Sequence, residues 1–124
     1  HICCGYPDKL DEIDYPKAPL NSYHEIANLL NQSIIDTVSL EDAHRYNDLS
    51  LLEKFSNTKI IFGLIKIASS KEETISEIQS RVNDATKHIK KEQLIAAPDC
   101  GLGHLPRDLA KRKLKIMVDA VKNI

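Results

Sequence analysis

No run in this sequence is long and apolar enough to cross a bilayer, and no charged, apolar and small-residue segment opens it as a secretion signal would. Membrane and secreted classes are thereby set aside, and the cytoplasm is the expected compartment. Excess charge is absent as well. Seventeen Lys and Arg stand against eighteen Asp and Glu, a formal charge of −1, so no basic field exists to hold a nucleic acid or an anionic membrane. A disulfide framework is missing too: the three cysteines are an odd number, and Cys3 and Cys4 are adjacent. In an intracellular chain such thiols read as metal ligands or as chemistry. An initiating methionine is also lacking, since the chain opens on His1, and a piece of a longer polypeptide is expected.

What is present suits one modest domain: 124 residues, 42% hydrophobic and 28% charged. Gly5-Tyr6-Pro7-Asp8 reads as a turn, and the acidic, proline-bearing segment from Lys9 to Pro19 as a surface loop or lid anchored by Tyr6 and Tyr15. Ser22 and Glu25 have capping-box spacing, and Tyr23, Ile26, Leu29 and Leu30 recur at helical spacing, which predicts a helix from Ser22 to Asn31. Ile34 to Leu40 alternates as a strand, ending at Glu41. Leu49, Leu52 and Phe55 mark a short helix within Asp48 to Phe55.

Lys59 to Ile67 is nearly continuously apolar, as a parallel strand covered on both faces should be. Ser70 and Glu73 make a second capping box, ahead of a helix of about five turns whose stripe is Ile75, Ile78, Val82, Ala85 and Ile89. A strand follows from Leu94 to Ala97. Pro106 suits a first helical position, and Ala110, Leu114, Met117 and Val121 give the last helix its buried face.

Strand and helix thus alternate, beginning from a strand end, which demands a parallel sheet with right-handed crossovers. The fold class is α/β, and three and a fraction βα units amount to half of a (β/α)8 barrel, whose usual size is ~250 residues. Residues 1–124 read as a single partial domain, the last four or so βα units. The N-terminal half of the barrel, or another copy of the chain, is expected to cover the exposed sheet edges.

In such a barrel the ends of different strands converge on one mouth, so His1, Cys3, Glu41 and Cys100 would meet there. Two thiolates, an imidazole and a carboxylate are a zinc set: soft sulfur and borderline nitrogen select Zn2+ over calcium or magnesium. Plainer readings stand beside this one. Glu41 equally suits a solvated loop carboxylate next to Asp42, Arg45 and Asp48, and Cys4 a small buried residue turned away from Cys3. His24 and His88 read as exposed, His44 and His104 as loop residues near the mouth, and Lys111-Arg112-Lys113 as a solvated helix face. Lys87, Lys90 and Lys91 suit a helix C-terminus.

His1-x-Cys3 at one strand end, Ser39-Leu40-Glu41 at the next, the strand through Phe62-Gly63-Leu64, and Pro98-Asp99-Cys100-Gly101-Leu102 at the last carry a resemblance. The chain resembles the C-terminal half of cobalamin-independent methionine synthase and its shorter relatives that have only the catalytic domain. The resemblance implies a methionine-synthase-like barrel of the kind shared with uroporphyrinogen decarboxylase. It implies a methyltransferase of methionine biosynthesis that transfers a methyl group to the thiol of homocysteine. It also implies a catalytic zinc on His1, Cys3, Glu41 and Cys100, with Glu41 as the catalytic ligand that yields its position to the substrate sulfur. A decarboxylase of that fold needs no thiolate cluster, so the cysteines argue against it.

Two departures bear on the donor. Where the folate-dependent enzymes have an Asp and a His two residues apart, followed by Ser-Pro, this chain has Lys66 and Ala68, followed by Ser69 and Ser70. The loop from Cys3 to Glu41 is longer, and Gly103-His104-Leu105 replaces a basic Lys-Thr-Arg, with Arg107 as the substitute arginine. Methyltetrahydrofolate and a methyl-corrinoid are therefore both carried as donors. An inactive barrel fragment with an assembly role is the reading from another class, and the groups that recognise the amino-acid end of homocysteine are expected in the other half.

Overall fold

The computed structural model describes residues 1–122 and 124. Three parallel strands form the sheet in the order β1 (Thr37–Leu40), β2 (Lys59–Ile65), β3 (Leu94–Pro98). His1 to Cys3 run alongside β1 as a fourth position: the Ile2 amide donates to Ser39 O at 3.0 Å, and Ile2 bridges Leu40 in parallel. The helices are α1 (Ser22–Gln32), α2 (Ile75–Ala85) and α3 (Arg107–Val121), and two short 310 turns cover Leu49–Lys54 and Lys91–Gln93.

The register divides the sheet into two faces. Val38, Ile60 and Leu94 form one row and Leu40, Phe62 and Ala96 the next, all turned toward the helices and packed in the core. Ser39, Ile61 and Ile95 form the opposite row, where Ile95 is 42% exposed. Side chains alternate across a strand, so one face packs under helices and the other is left for whatever fills a barrel.

Several elements differ from the sequence reading. Strand β1 begins at Thr37, not Ile34, because Ser33 ends α1 and its hydroxyl accepts the Ile35 amide at 3.1 Å in a local turn; Ile34 is fully exposed. Strand β2 ends at Ile65, two residues early. The Ser22 capping box is not formed: Asn21 is the N-cap, and its side-chain amide donates to Glu25 at 2.6 Å. The second box sits four residues later than expected, on Thr74 and Glu77. Glu73 is drawn instead to the end of β2, where it accepts the Lys66 amide at 2.9 Å. Helix α2 has 11 residues, and the chain then tightens into turns that keep Ile89 buried.

The buried face of α3 is Leu109, Lys113, Met117 and Ala120, with Leu114 and Val121 half-buried beside it. Lys113 overturns the solvated reading of its charge run, since it has no exposure at all. Its ammonium donates to Lys66 O and Ser69 O at 2.8 Å each and faces Glu73 at 3.3 Å, so every proton finds an oxygen. This stitches α3 to the segment leaving β2. No helix among the described residues is long and apolar enough to cross a membrane.

Lys113→Met keeps the stem but leaves the Lys66 and Ser69 carbonyls without their donor and the Glu73 carboxylate without its counter-charge. We expect a loss of about 3 kcal/mol in denaturant unfolding, the scale for removing one partner of a buried pair.

Candidate metal centre at the strand ends

Three of the four residues expected at the mouth come together. One ligand atom each from His1, Cys3 and Glu41 lie within 4.8 Å of one another. His1 and Cys3 flank the Ile2 bridge and so share a side of the extended chain, while Cys4 turns inward at 4% exposure. Cys100 follows β3 by two residues and is half-buried outside that group of three. It is near enough that its charge, after burial and Glu41, helps to raise the Cys3 thiol above its ordinary pKa; the Gly5 amide on the Cys3 sulfur works the other way.

Glu41 is only 2% exposed, which removes the reading of it as a solvated loop carboxylate. Its Oε2 accepts the Cys4 amide at 2.9 Å. Its Oε1 is buried without a hydrogen-bond partner, 3.6 Å from His1 Nε2. His1 Nδ1 lies 3.0 Å from the Ser39 hydroxyl, which turns the other ring nitrogen toward Glu41. A buried carboxylate oxygen with no partner is costly, and a cation there would satisfy it. Zinc bonds of 2.0–2.3 Å hold their ligands within ~4 Å of each other, so this donor set fits Zn2+ after small movements of exposed side chains.

The backbone of Glu41 is fixed from two sides. Its amide donates to the Tyr23 hydroxyl at 3.1 Å, which donates to Ile2 O at 2.8 Å, and its carbonyl accepts the Asn47 side chain at 2.7 Å. Beyond it, Asp42 takes a two-pronged contact from Arg81 of α2 at 2.6 and 2.8 Å, plus the Asn47 amide at 2.9 Å. Asp99 of the β3 end accepts three successive amides of the same loop: Asp42 at 2.9 Å, Ala43 at 2.9 Å and His44 at 2.7 Å. Burial pushes the Asp99 carboxyl up to about 7 while those amides oppose the rise.

The sequence reading gave Asp42, Arg81 and Asp99 no role. One signal was available. Gly63 interrupts the apolar run of β2, and a Cβ there would stand 1.9 Å from Asp99 Oδ1 and 2.9 Å from its Cα. An isolated glycine in a strand marks such an approach.

An imidazole does stand at the end of β2, contributed by His44. Its Nε2 accepts the amides of Ile67 at 2.9 Å and Ala68 at 3.3 Å, which leaves the proton on Nδ1. Burial, with the nearby charges of Lys66, Lys17 and Lys113, lowers its pKa to about 4. His104 packs edge-on against Tyr6 at 5.5 Å, joining the loop after Cys100 to the loop after Cys3. His24 and His88 are half-buried, and His88 meets Glu53 at 2.7 Å. A cavity of about 510 Å3 opens beside the loop, lined in part by Asp42, Tyr46, Leu64, Lys66 and Arg81, and none of the four expected ligands lines it.

The family model described as the catalytic domain of cobalamin-independent synthase matches residues 20–123. A methionine synthase of Pyrococcus furiosus is 30% identical over 105 residues, covering 84% of this chain and 31% of the relative. One of Methanothermobacter thermautotrophicus is 33% identical over 104 residues, covering 80% and 34%. The chain thus spans about a third of the length of the curated relatives it matches. A B12-independent methionine synthase from Shewanella sp. W3-18-1, solved in complex with selenomethionine, aligns with a TM-score of 0.77 at 27% identity, over 81% of this chain and 29% of that one.

His44 is neutral in the fold, so its contribution to stability is complete above pH 6.5 and is lost as pH falls through about 4. Asp99 moves the other way, gaining stability as pH falls from about 7. Urea midpoints between pH 4 and 7 for wild type and His44→Gln isolate the first effect. The wild type should lose stability more steeply than the variant as pH drops through this window.

Proposed function

The chain belongs to the cobalamin-independent methionine synthase catalytic-domain family, and from that premise we propose that it forms the metal-bearing end of a methyltransferase that converts homocysteine to methionine. The α/β arrangement is that of the barrel in the Shewanella enzyme. In this reading the chain supplies the last four or so βα units. The N-terminal half, or a second copy, covers the Ile61 and Ile95 face and brings the groups that bind the amino-acid end of homocysteine. Ser39, Ile61 and Ile95 without helices above them support it.

One observation carries the metal assignment: an unpartnered, buried Glu41 oxygen beside an imidazole and a thiol. His1, Cys3 and Glu41 would hold Zn2+, with Cys100 as the fourth ligand. When bound, zinc lowers the pKa of a thiol and presents the thiolate as a nucleophile at neutral pH. The chain's own residues prepare the place for the substrate sulfur. Glu41 is held by its backbone and by Oε2, so Oε1 is aimed while the residue stays fixed. Ser39 orients the His1 ring. The selenomethionine in the Shewanella enzyme, a close mimic of methionine, supports the same product here. Three free thiols suit a reducing cytoplasm.

The donor in this reading is methyltetrahydrofolate. A methyl-corrinoid has one observation in its favour: the side chains at the β2 end are Lys66 and Ala68, and the imidazole beside them, from His44, accepts backbone amides instead of facing the mouth with Nε2.

Two measurements check the reading. Purified protein titrated with Zn2+ against a chromophoric chelator should bind one equivalent, and Cys3→Ser or Glu41→Gln should weaken binding by more than ~100-fold, beyond the range seen for groups one layer removed from a metal. Equal zinc affinity in wild type and Cys3→Ser would sink the assignment. Methionine formation from methyltetrahydrofolate, compared with formation from methylcobalamin, separates the donors.

A further inference from the structure

We infer that Asp99 is the positioning residue of the mouth: it sets the separation of Glu41 from Cys100 by clamping the loop after the first to the strand before the second. The inference rests on reading His1, Cys3, Glu41 and Cys100 as a metal set and goes beyond it, because Asp99 hydrogen-bonds to backbone amides of the loop and to no donor atom of that set.

The connection is short on both sides. Asp99 directly precedes Cys100, and the first amide it accepts belongs to Asp42, the neighbour of Glu41. Three consecutive N–H groups converging on one carboxylate make an anion-binding nest, here filled from within the chain. Asp99 is 1% exposed, and its own amide donates to Ile65 O at 3.1 Å, so its backbone is held to β2 while its side chain is held by the loop.

The loop is held in turn. Asp42, at 1% exposure, is gripped from the opposite direction by Arg81 and Asn47. Gly63 leaves the space through which the carboxylate reaches the loop, since any larger residue there would collide with it. A neutral amide cannot replace it. Both Asp99 oxygens accept, and an asparagine would turn an N–H toward at least one loop amide.

A residue that only held the fold would change how much protein is folded, whereas one that sets ligand spacing changes the coordination of the folded protein. Cobalt(II) separates the two, because each thiolate ligand adds sulfur-to-metal charge-transfer absorption. Metal-free wild type, Cys100→Ser and Asp99→Asn would be titrated with Co2+, with circular dichroism reporting the folded fraction. Wild type should show the band of two thiolates. Asp99→Asn should fall to about half of it per bound cobalt, as Cys100→Ser does, with affinity reduced about 10–100-fold.

If Asp99→Asn does not fold, Gly63→Ala displaces the same carboxylate without removing its charge and should give the same halving. A full two-thiolate band and wild-type affinity in the folded variant would overturn the role of Asp99 alone. Wild type lacking any sulfur-to-cobalt band would overturn the metal reading and this inference with it.

Discussion

A carboxylate removed from water is the most demanding group in the mouth, and the strand ends are arranged around keeping Glu41 there. At 2% exposure it has one oxygen on the Cys4 amide and one on nothing. An uncompensated buried charge destabilises a fold by several kcal/mol after relaxation, roughly the size of a large core truncation. The surrounding groups offset this without closing off Oε1. Tyr23 and Asn47 hold the Glu41 backbone, and His1 stands near enough to share a cation. Both oxygens of Asp42 and of Asp99, by contrast, accept hydrogen bonds.

Those two carboxylates show how three acids are accommodated within a few ångströms of buried backbone. Asp42 is neutralised by the Arg81 guanidinium, which also stacks over Tyr46 at 4.0 Å. Asp99 relies on dipoles, and the charge of Glu41 adds to the burial that raises its pKa. Arg45, 8% exposed and bonded to Ala18 O and Pro19 O, ties the loop before α1 to the same region. The long loop between the first two ligand strands is anchored again where Asp11 accepts the Ser70 amide at 2.7 Å and donates its own to Ala68 O at 2.9 Å. It crosses from the His1 and Cys3 side of the mouth to the end of β2.

The features legible in the sequence are the local ones. The alternation of strands and helices, the thiols at strand ends, and the spacing of Leu49, Leu52 and Phe55 are readable within short windows of sequence, and these agree with the structure. Capping boxes are local too, but Ser22/Glu25, Ser70/Glu73 and Thr74/Glu77 all have the same spacing. Competing contacts choose among them: Asn21 takes Glu25, and Glu73 is taken by Lys66 and Lys113, which leaves Thr74 and Glu77 to start α2. Lys113 and Asp99 were illegible for the same reason. Their side-chain partners lie 40 to 57 positions away in sequence, and a charged residue looks solvated until those partners arrive.

An irregularity in β2 links the buried acids to the direction of the last thiol. Pairing with β3 runs in step through Gly63 and Ala97, then slips so that Pro98 faces Ile65 and Leu64 is left over. An extra residue in one strand bends it and re-aims the residues beyond it. Here the slip coincides with a proline, which has no amide to give, and with Asp99, whose amide returns to Ile65 O. The chain leaving β3 is thereby carried over Gly63, where the missing Cβ lets a carboxylate pass to the loop after β1. Without the slip, Asp99 would continue the strand alternation along the sheet, and Cys100 would leave in a different direction. The glycine, the bulge, the proline and the aspartate therefore act as one device, and the cysteine after them takes its direction from all four.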